Sequence, residues 1–207
     1  MPVSLAPYPQ DLHIHTIFSA GDGAVSEQQT LALIAAVRHA EVIGISDHFE
    51  YVQGKPFEPY RESVLAAGFH LGIEVNGAEW APRAAEAEVE YYVYHCRDRD
   101  EDYRGAEMLL ATGKPVIIAH PLVLATDLNR VPPQCLIEIN NRYVWRNDWR
   151  SLAPFVGRFR FVIGSDAHQP HWLSQHVARR VAAELGIEET LLFQPRPEGP
   201  RGLAPRL

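Results

Sequence analysis

The stretch Phe159-Arg160-Phe161-Val162-Ile163-Gly164-Ser165-Asp166-Ala167-His168 runs from an apolar segment of strand length straight into two metal-binding side chains two residues apart. In extended chain such side chains leave from the same face, so Asp166 and His168 point together. The same arrangement recurs upstream. Val42 to Ser46 passes into Asp47 and His48, Gly68 to Val75 carries Glu74, Val89 to Tyr94 ends at His95, Val116 to Ala119 ends at His120, and Cys135 to Ile139 carries Glu138. A shorter apolar piece precedes Asp11-Leu12-His13-Ile14-His15-Thr16, whose two histidines again share a face.

Segments of helical character lie between these runs: Ser26 to Ala40, Tyr60 to Ala67, Asp98 to Thr112, Trp145 to Phe155 and Trp172 to Leu185. In the first, Leu31, Ile34 and Val37 follow an i, i+3 rhythm, and Ser26 is placed as its N-cap. Repeated strand-then-helix units predict a parallel α/β sheet, and about seven of them in so short a chain predict a closed barrel of the TIM type. An open doubly wound sheet is the alternative. In a parallel barrel the C-terminal strand ends form one ring, which would gather His13, His15, His48, Glu74, His95, His120, Asp166 and His168 at a single mouth. If the glycine-rich turn from Ser19 to Gly23 folds back over that rim, Asp22 adds another oxygen.

Composition bounds the rest. With 207 residues, 46% of them hydrophobic, the chain can bury a core as one domain. The expected domain spans residues 1–193, and a proline-rich tail follows at 194–207. A net charge of -7 and a pI near 5.8 argue against nucleic-acid or anionic-membrane partners, which favour a basic field. Cys96 and Cys135 lie far apart and outside any CxxC pattern, so neither a disulfide framework nor a thiolate zinc site is signalled. No apolar run reaches the roughly 18 residues needed to span a bilayer, and the first nine residues lack a basic segment, so a cytoplasmic location is expected. Imidazole and carboxylate donors without thiolates suit an open site for zinc, manganese or iron.

The order DLHIHT, a glycine-rich turn with Asp22, SDH at 46–48, Glu74 in GIE, His95, IAHP at 118–121 and GSDAH at 164–168 resembles the polymerase and histidinol phosphatase (PHP) family over about residues 11–170. Two departures stand out. Ala20 and Gly21 separate Ser19 from Asp22 where the family usually reads HxHTxxSDG, and His95 is followed by Cys96 and Arg97. The resemblance implies a distorted (β/α)7 barrel with a centre of two or three divalent ions. His13, His15, Glu74 and Asp166 would hold one, Glu74 would bridge to a second on His95 and His120, and Asp22, His48 and His168 would hold a third.

The resemblance further implies a phosphoesterase acting on a small phosphomonoester, histidinol-phosphate-like or a nucleotide, with a metal-bridging hydroxide as nucleophile. Asp166 and His168 are then expected in the catalytic machinery. Arg142, four residues after Glu138, is the expected clamp on the phosphoryl oxygens, with Arg83 as second candidate. Asp11 and Asp47 are expected to orient the ligating imidazoles, with a turn cap as the alternative for Asp47. His39, His70, His171 and His176 read as structural, and Trp80, Trp145 and Trp149 as core aromatics, with the wall of a substrate pocket as their alternative. Two other readings are a noncatalytic metal-binding regulatory module and an amidohydrolase-type metal hydrolase. Many amidohydrolases bridge their metals with a strand-end lysine, but the only lysines are Lys55, in a loop, and Lys114, ahead of its strand.

Overall fold

The computed structural model describes residues 6–195. Of the expected tail, residues 196–207 lie outside the described residues. Seven parallel strands follow one another around the sheet in chain order: β1 Tyr8–Asp11, β2 Ala40–Ile45, β3 His70–Val75, β4 Tyr91–Tyr94, β5 Val116–Ile118, β6 Leu136–Asn140 and β7 Arg160–Gly164. Among the described residues the α-helices are α1 Leu31–Val37, α2 Phe49–Val52, α3 Phe57–Ala66, α4 Ala81–Ala85, α5 Asp100–Leu110 and α6 His176–Leu185.

Sequential order alone would permit an open sheet, but the first and last strands meet. Beyond their ends Ile14 bridges Ala167 in parallel, Asp166 N donates to His13 O at 2.8 Å, and His15 N donates to Ala167 O at 2.9 Å. Lower down, side chains replace the missing ladder: Asp11 Oδ1 accepts from Ser165 N, and Gln175 Nε2 donates to both Gln10 O and Ile163 O. The molecule is therefore a single-domain, nearly closed α/β barrel with a seam between β1 and β7, and the doubly wound alternative falls.

The period-two alternation of each strand divides its side chains between two cores. Inward-facing Leu12, Val42, Tyr91, Val93, Ile117, Leu136 and Val162 fill the barrel, with Leu192 and Phe193 packed against them. Tyr91 needs more room than a seven-stranded barrel ordinarily leaves. Gly44 and Gly72 supply it, since a Cβ on either would come 2.3 Å from the Tyr91 ring or hydroxyl. Outward-facing Ile43, Ile45, Leu71, Ile73, Tyr92, Ile118 and Ile137 pack in the larger core beneath the helices. Residues 187–193 cross the N-terminal mouth, where Thr190 N donates to Phe161 O and the Phe193 ring stacks on His70 at 4.2 Å.

Four helical segments are shorter than their sequence patterns, among them α5, which covers Asp100–Leu110 of the expected Asp98 to Thr112. Ser26 caps only a local turn through Gln28 N. The first helix begins at Leu31, with Thr30 Oγ1 accepting from Leu33 N. The segment expected as a helix over Trp145 to Phe155 is two 3-10 turns, Val144–Arg146 and Trp149–Phe155, the second containing Pro154, which has no N–H for a continuing helix. Trp172 belongs to a separate 3-10 turn, Pro170–Trp172, ahead of α6. Among the described residues no helix is long and apolar enough to cross a membrane.

Candidate metal centre

Alternation along β3 and β6 turns Glu74 and Glu138 into the barrel at its C-terminal mouth, above Gly72 and Leu136. The residues just past β1, β2, β4, β5 and β7 bring His13, His15, His48, His95, His120, Asp166 and His168 to the same place. His120 (φ 27°) and Asp166 (φ 54°) adopt left-handed backbone, uncommon for residues with a Cβ. Each such residue costs on the order of 1–3 kcal/mol, strain that proteins tend to store at functional sites. Asp22 reaches the ring from the turn over the rim, its Oδ2 2.9 Å from His168 Nε2 and 3.7 Å from His48 Nε2. All nine expected ligands thus converge.

Their spacing is that of a coordination shell. Donors around a common tetrahedral ion at ordinary nitrogen and oxygen bond lengths stand roughly 3.3 to 3.6 Å apart. His13 Nε2 lies 3.1 Å from Glu74 Oε1, 3.7 Å from Asp166 Oδ1 and 3.2 Å from His15 Nε2. His15 Nε2 in turn lies 3.4 Å from Glu74 Oε2 and 3.6 Å from Asp166 Oδ1. Among the described residues four overlapping groups could each hold an ion: His13, His15, Glu74; Glu74, His95, His120; His13, His120, Asp166; and His15, His48, His168. Neither cysteine belongs to any of them.

Three of the six imidazoles are also oriented as ligands. A ring whose Nδ1–H is committed to a fixed acceptor presents a bare Nε2. His13 Nδ1 donates to Glu138 Oε1 at 2.7 Å, His95 Nδ1 to Asn76 Oδ1 at 3.0 Å, and His168 Nδ1 to Asp166 O at 3.0 Å. The Nδ1 atoms of His15 and His120 are buried without a hydrogen-bond partner. His48 Nδ1 stands 2.9 Å from Glu74 Oε2, within ion-pair range but not aligned as a hydrogen bond.

The buried carboxylates and imidazoles shift one another's protonation in both directions. Burial alone would lower the His13 ring, but Glu138, Asp166 and Glu74 hold its pKa well above the usual histidine value. Burial likewise opposes protonation of His48, yet Glu74 and Asp22 raise its pKa to about 10. His15 goes the other way, lowered by burial and by the neighbouring His168 and His48. Burial would raise the Glu74 carboxyl, but the histidines around it, His95 foremost, keep it well below the ordinary range, so it stays ionised.

Several expected roles change. Asp11 and Asp47 touch no ligating imidazole. Asp11 accepts from Ser165 N and His39 Nε2 at the seam. Asp47 accepts from Thr16 N, Thr16 Oγ1 and Ser19 Oγ, tying the turn that carries Asp22 to the barrel. Arg83 sits on the short α4, where its Nη1 donates to Gln53, and it does not line the cleft. Arg97 lines it instead, donating to Asn76. Arg142 is where expected, its Nη1 3.5 Å from Asp166 Oδ1. Trp80 and Trp149 pack on the outer core, but Trp145 is 58% exposed and belongs to no core. His39, His70 and His176 pair with Asp11, Glu90 and Tyr8, consistent with structural roles.

Glu138 was legible as a strand residue but not as part of the site. Its Oε1 anchors His13, while its Oε2 accepts from His120 N at 2.8 Å and Asn140 Nδ2 at 2.9 Å. An acid within the otherwise apolar Leu136–Ile139 run, on the inward phase of the strand, is the signal that marks it. Gly164 makes room for it, since a Cβ there would lie 2.1 Å from Glu138 Oε1. The cleft above the ring has a volume of about 330 Å³, and Asn76, Arg97, Arg142 and Tyr143 line it beside the ligands.

No family model matches the sequence, and a search of curated proteins finds no match. Among solved structures the chain is similar to a truncated form of 3-deoxy-D-arabino-heptulosonate 7-phosphate synthase from Thermotoga maritima. The TM-score is 0.50 at 15% identity, over 90% of this chain and 77% of that one. It is also similar to dihydropteroate synthases from Xanthomonas albilineans (TM-score 0.44, 14% identity, 87% of this chain and 85% of that one) and Yersinia pestis (0.46, 15%, 87% and 84%). The last two are too distant to carry an argument. The first is a likeness of fold alone, a β/α barrel, and says nothing of the chemistry at its mouth.

Proposed function

We propose that this chain is a metal-dependent phosphoesterase of the PHP type, acting on a small phosphate ester. One observation carries the reading: six histidines and three carboxylates, drawn from residues 13 to 168, meet at one barrel mouth with ligand-like spacing. On this reading His13, His15, Glu74 and Asp166 would hold one ion, Glu74, His95 and His120 a second, and Asp22, His48 and His168 a third. Zinc, manganese and iron all suit a nitrogen and oxygen donor set without thiolates. When bound, such ions supply the positive charge that acidifies water and neutralises phosphoryl oxygens.

The chain's own groups do the remaining work. Arg142 stands beside Asp166 and His168, with its guanidinium carbon 4.7 Å from the Trp172 ring centroid, a stack that fixes its planar fork for a phosphoryl oxygen. On another part of the cleft wall, Arg97 is held by Asn76. Tyr143 also lines the cleft, and burial, with the Asp166 charge, raises its phenol pKa, so it stands there as a neutral hydrogen-bond donor.

The amidohydrolase alternative lacks its lysine. Lys114 Nζ donates to Ala87 O and Tyr92 Oη ahead of β5, at the opposite mouth of the barrel, and Lys55 is exposed. A panel of phosphate esters assayed with added zinc, manganese or iron tests the proposal. Metal-dependent release of phosphate, abolished by His13→Ala and Asp166→Asn, is expected. Metal binding without hydrolysis of any ester would favour a regulatory module instead.

A further inference from the structure

A second cleft, of about 420 Å³, adjoins the first, and Arg142 lines both. Its other walls include Trp145, Arg146, His171 and Trp172, and no carboxylate lines it. In this it differs from the first cleft, which Asp22, Glu74 and Asp166 line. Arg146 has no carboxylate within ion-pair range among the described residues. Its guanidinium carbon instead lies 5.0 Å from the Trp145 ring centroid and 5.3 Å from that of Tyr143. Stacked this way, its donors remain free along the fork edge, the geometry that receives a carboxylate or phosphate. Trp145, left largely in solvent, offers a ring face beside it.

We propose that this side cleft binds a second anionic group, carried by the leaving group of the ester, so that the preferred substrate bears charge at both ends. One end lies over the metal ring under Arg142, and the other on Arg146 between the indoles of Trp145 and Trp172. The inference rests on the phosphoesterase reading and narrows it. Arg146 sets specificity by holding the far end, and it takes no part in the bond-breaking step.

The test compares phenyl phosphate with 4-carboxyphenyl phosphate and 1,4-phenylene bisphosphate, using the full chain with added divalent metal. For the wild type we expect a KM lower by roughly tenfold for the two doubly anionic esters, the size of one charge-assisted hydrogen bond. The bisphosphate separates a phosphate preference from a carboxylate preference. Arg146→Ala should erase the advantage to within about twofold, and Arg146→Lys should restore part of it, since a point charge keeps the attraction but loses the fork. Hydrolysis of all three esters with equal KM, or a preference surviving in Arg146→Ala, would overturn the side cleft and leave the phosphoesterase reading intact. If no ester is hydrolysed, calorimetric titration with 4-carboxyphenyl phosphate and phenyl phosphate decides. Tighter binding of the former that depends on Arg146 keeps the cleft while the phosphoesterase reading fails, and equal binding overturns the cleft as well.

Discussion

Replacing Glu138 by glutamine keeps the volume and removes one charge, and the hydrogen bonds around it dictate the consequence. Oε1 accepts from His13 Nδ1 at 2.7 Å, while Oε2 accepts from His120 N and Asn140 Nδ2. All three partners are donors. A glutamine has one accepting oxygen, so either its amide nitrogen faces His120 N–H and Asn140 Nδ2, or it faces His13 Nδ1. In the second case His13 is pushed toward the tautomer whose Nε2 carries the proton, which blocks the ligating atom. Losing a carboxylate that orients a ligating histidine typically weakens metal binding about 10- to 100-fold, or roughly 1.4 to 2.7 kcal/mol. Zinc affinity measured by competition against a chromophoric chelator, on metal-stripped wild type and Glu138→Gln, reads this directly. An affinity within about twofold of wild type, in a variant with an unchanged circular dichroism spectrum, would refute the claim that Glu138 orients His13 for a cation.

Other outcomes follow from the same geometry. Arg142→Ala should raise KM for phosphate esters roughly ten- to a hundredfold while metal content stays intact, and unchanged steady-state kinetics would remove Arg142 from the site. Gly21→Ala should weaken the ion nearest Asp22 by about tenfold. An added Cβ would lie 2.5 Å from Tyr51 Cε1, and the Tyr51 ring that backs this turn also packs edge-on to His48 at 6.0 Å. Metal stoichiometry after dialysis reads the effect, and an unchanged count would show that the turn tolerates the displaced ring. The pH dependence has a definite sign. In the metal-free centre His48 is protonated up to about pH 10 through Glu74 despite its burial, so a cation must displace at least that proton. Apparent affinity should therefore rise with pH between about 6 and 8, with protons released in calorimetry across buffers of different ionisation enthalpy. Affinity independent of pH would contradict this.

The barrel was legible because six of the seven strands are apolar runs that carry or lead into a polar, chemistry-bearing residue, whereas β1, Tyr8-Pro9-Gln10-Asp11, carries no such run. The helices were less legible. Pro154 and the Asp148 cap divide the segment after Trp145 into short 3-10 turns, and Thr30 outcompetes Ser26 as a start signal because its oxygen reaches the N–H three residues on. In the site, the ligands announced themselves by type and by position at strand ends. The residues that orient them did not. Asn76 and Glu138 act through which ring nitrogen they hold, a property of packing that spacing does not encode. Arg83 and Arg97 look alike in sequence, but Arg83 sits on α4 facing Gln53, whereas Arg97 lies two residues past the strand-end His95 and reaches the cleft.

Elemental analysis of the purified full-length chain, reconstituted with zinc or manganese and desalted, tests the central claim most directly. Two or three ions per wild-type chain, falling by at least one in Glu74→Gln, is the result expected of a ring in which one carboxylate stands between two groups of histidines. A wild-type chain that retains no stoichiometric metal would contradict it.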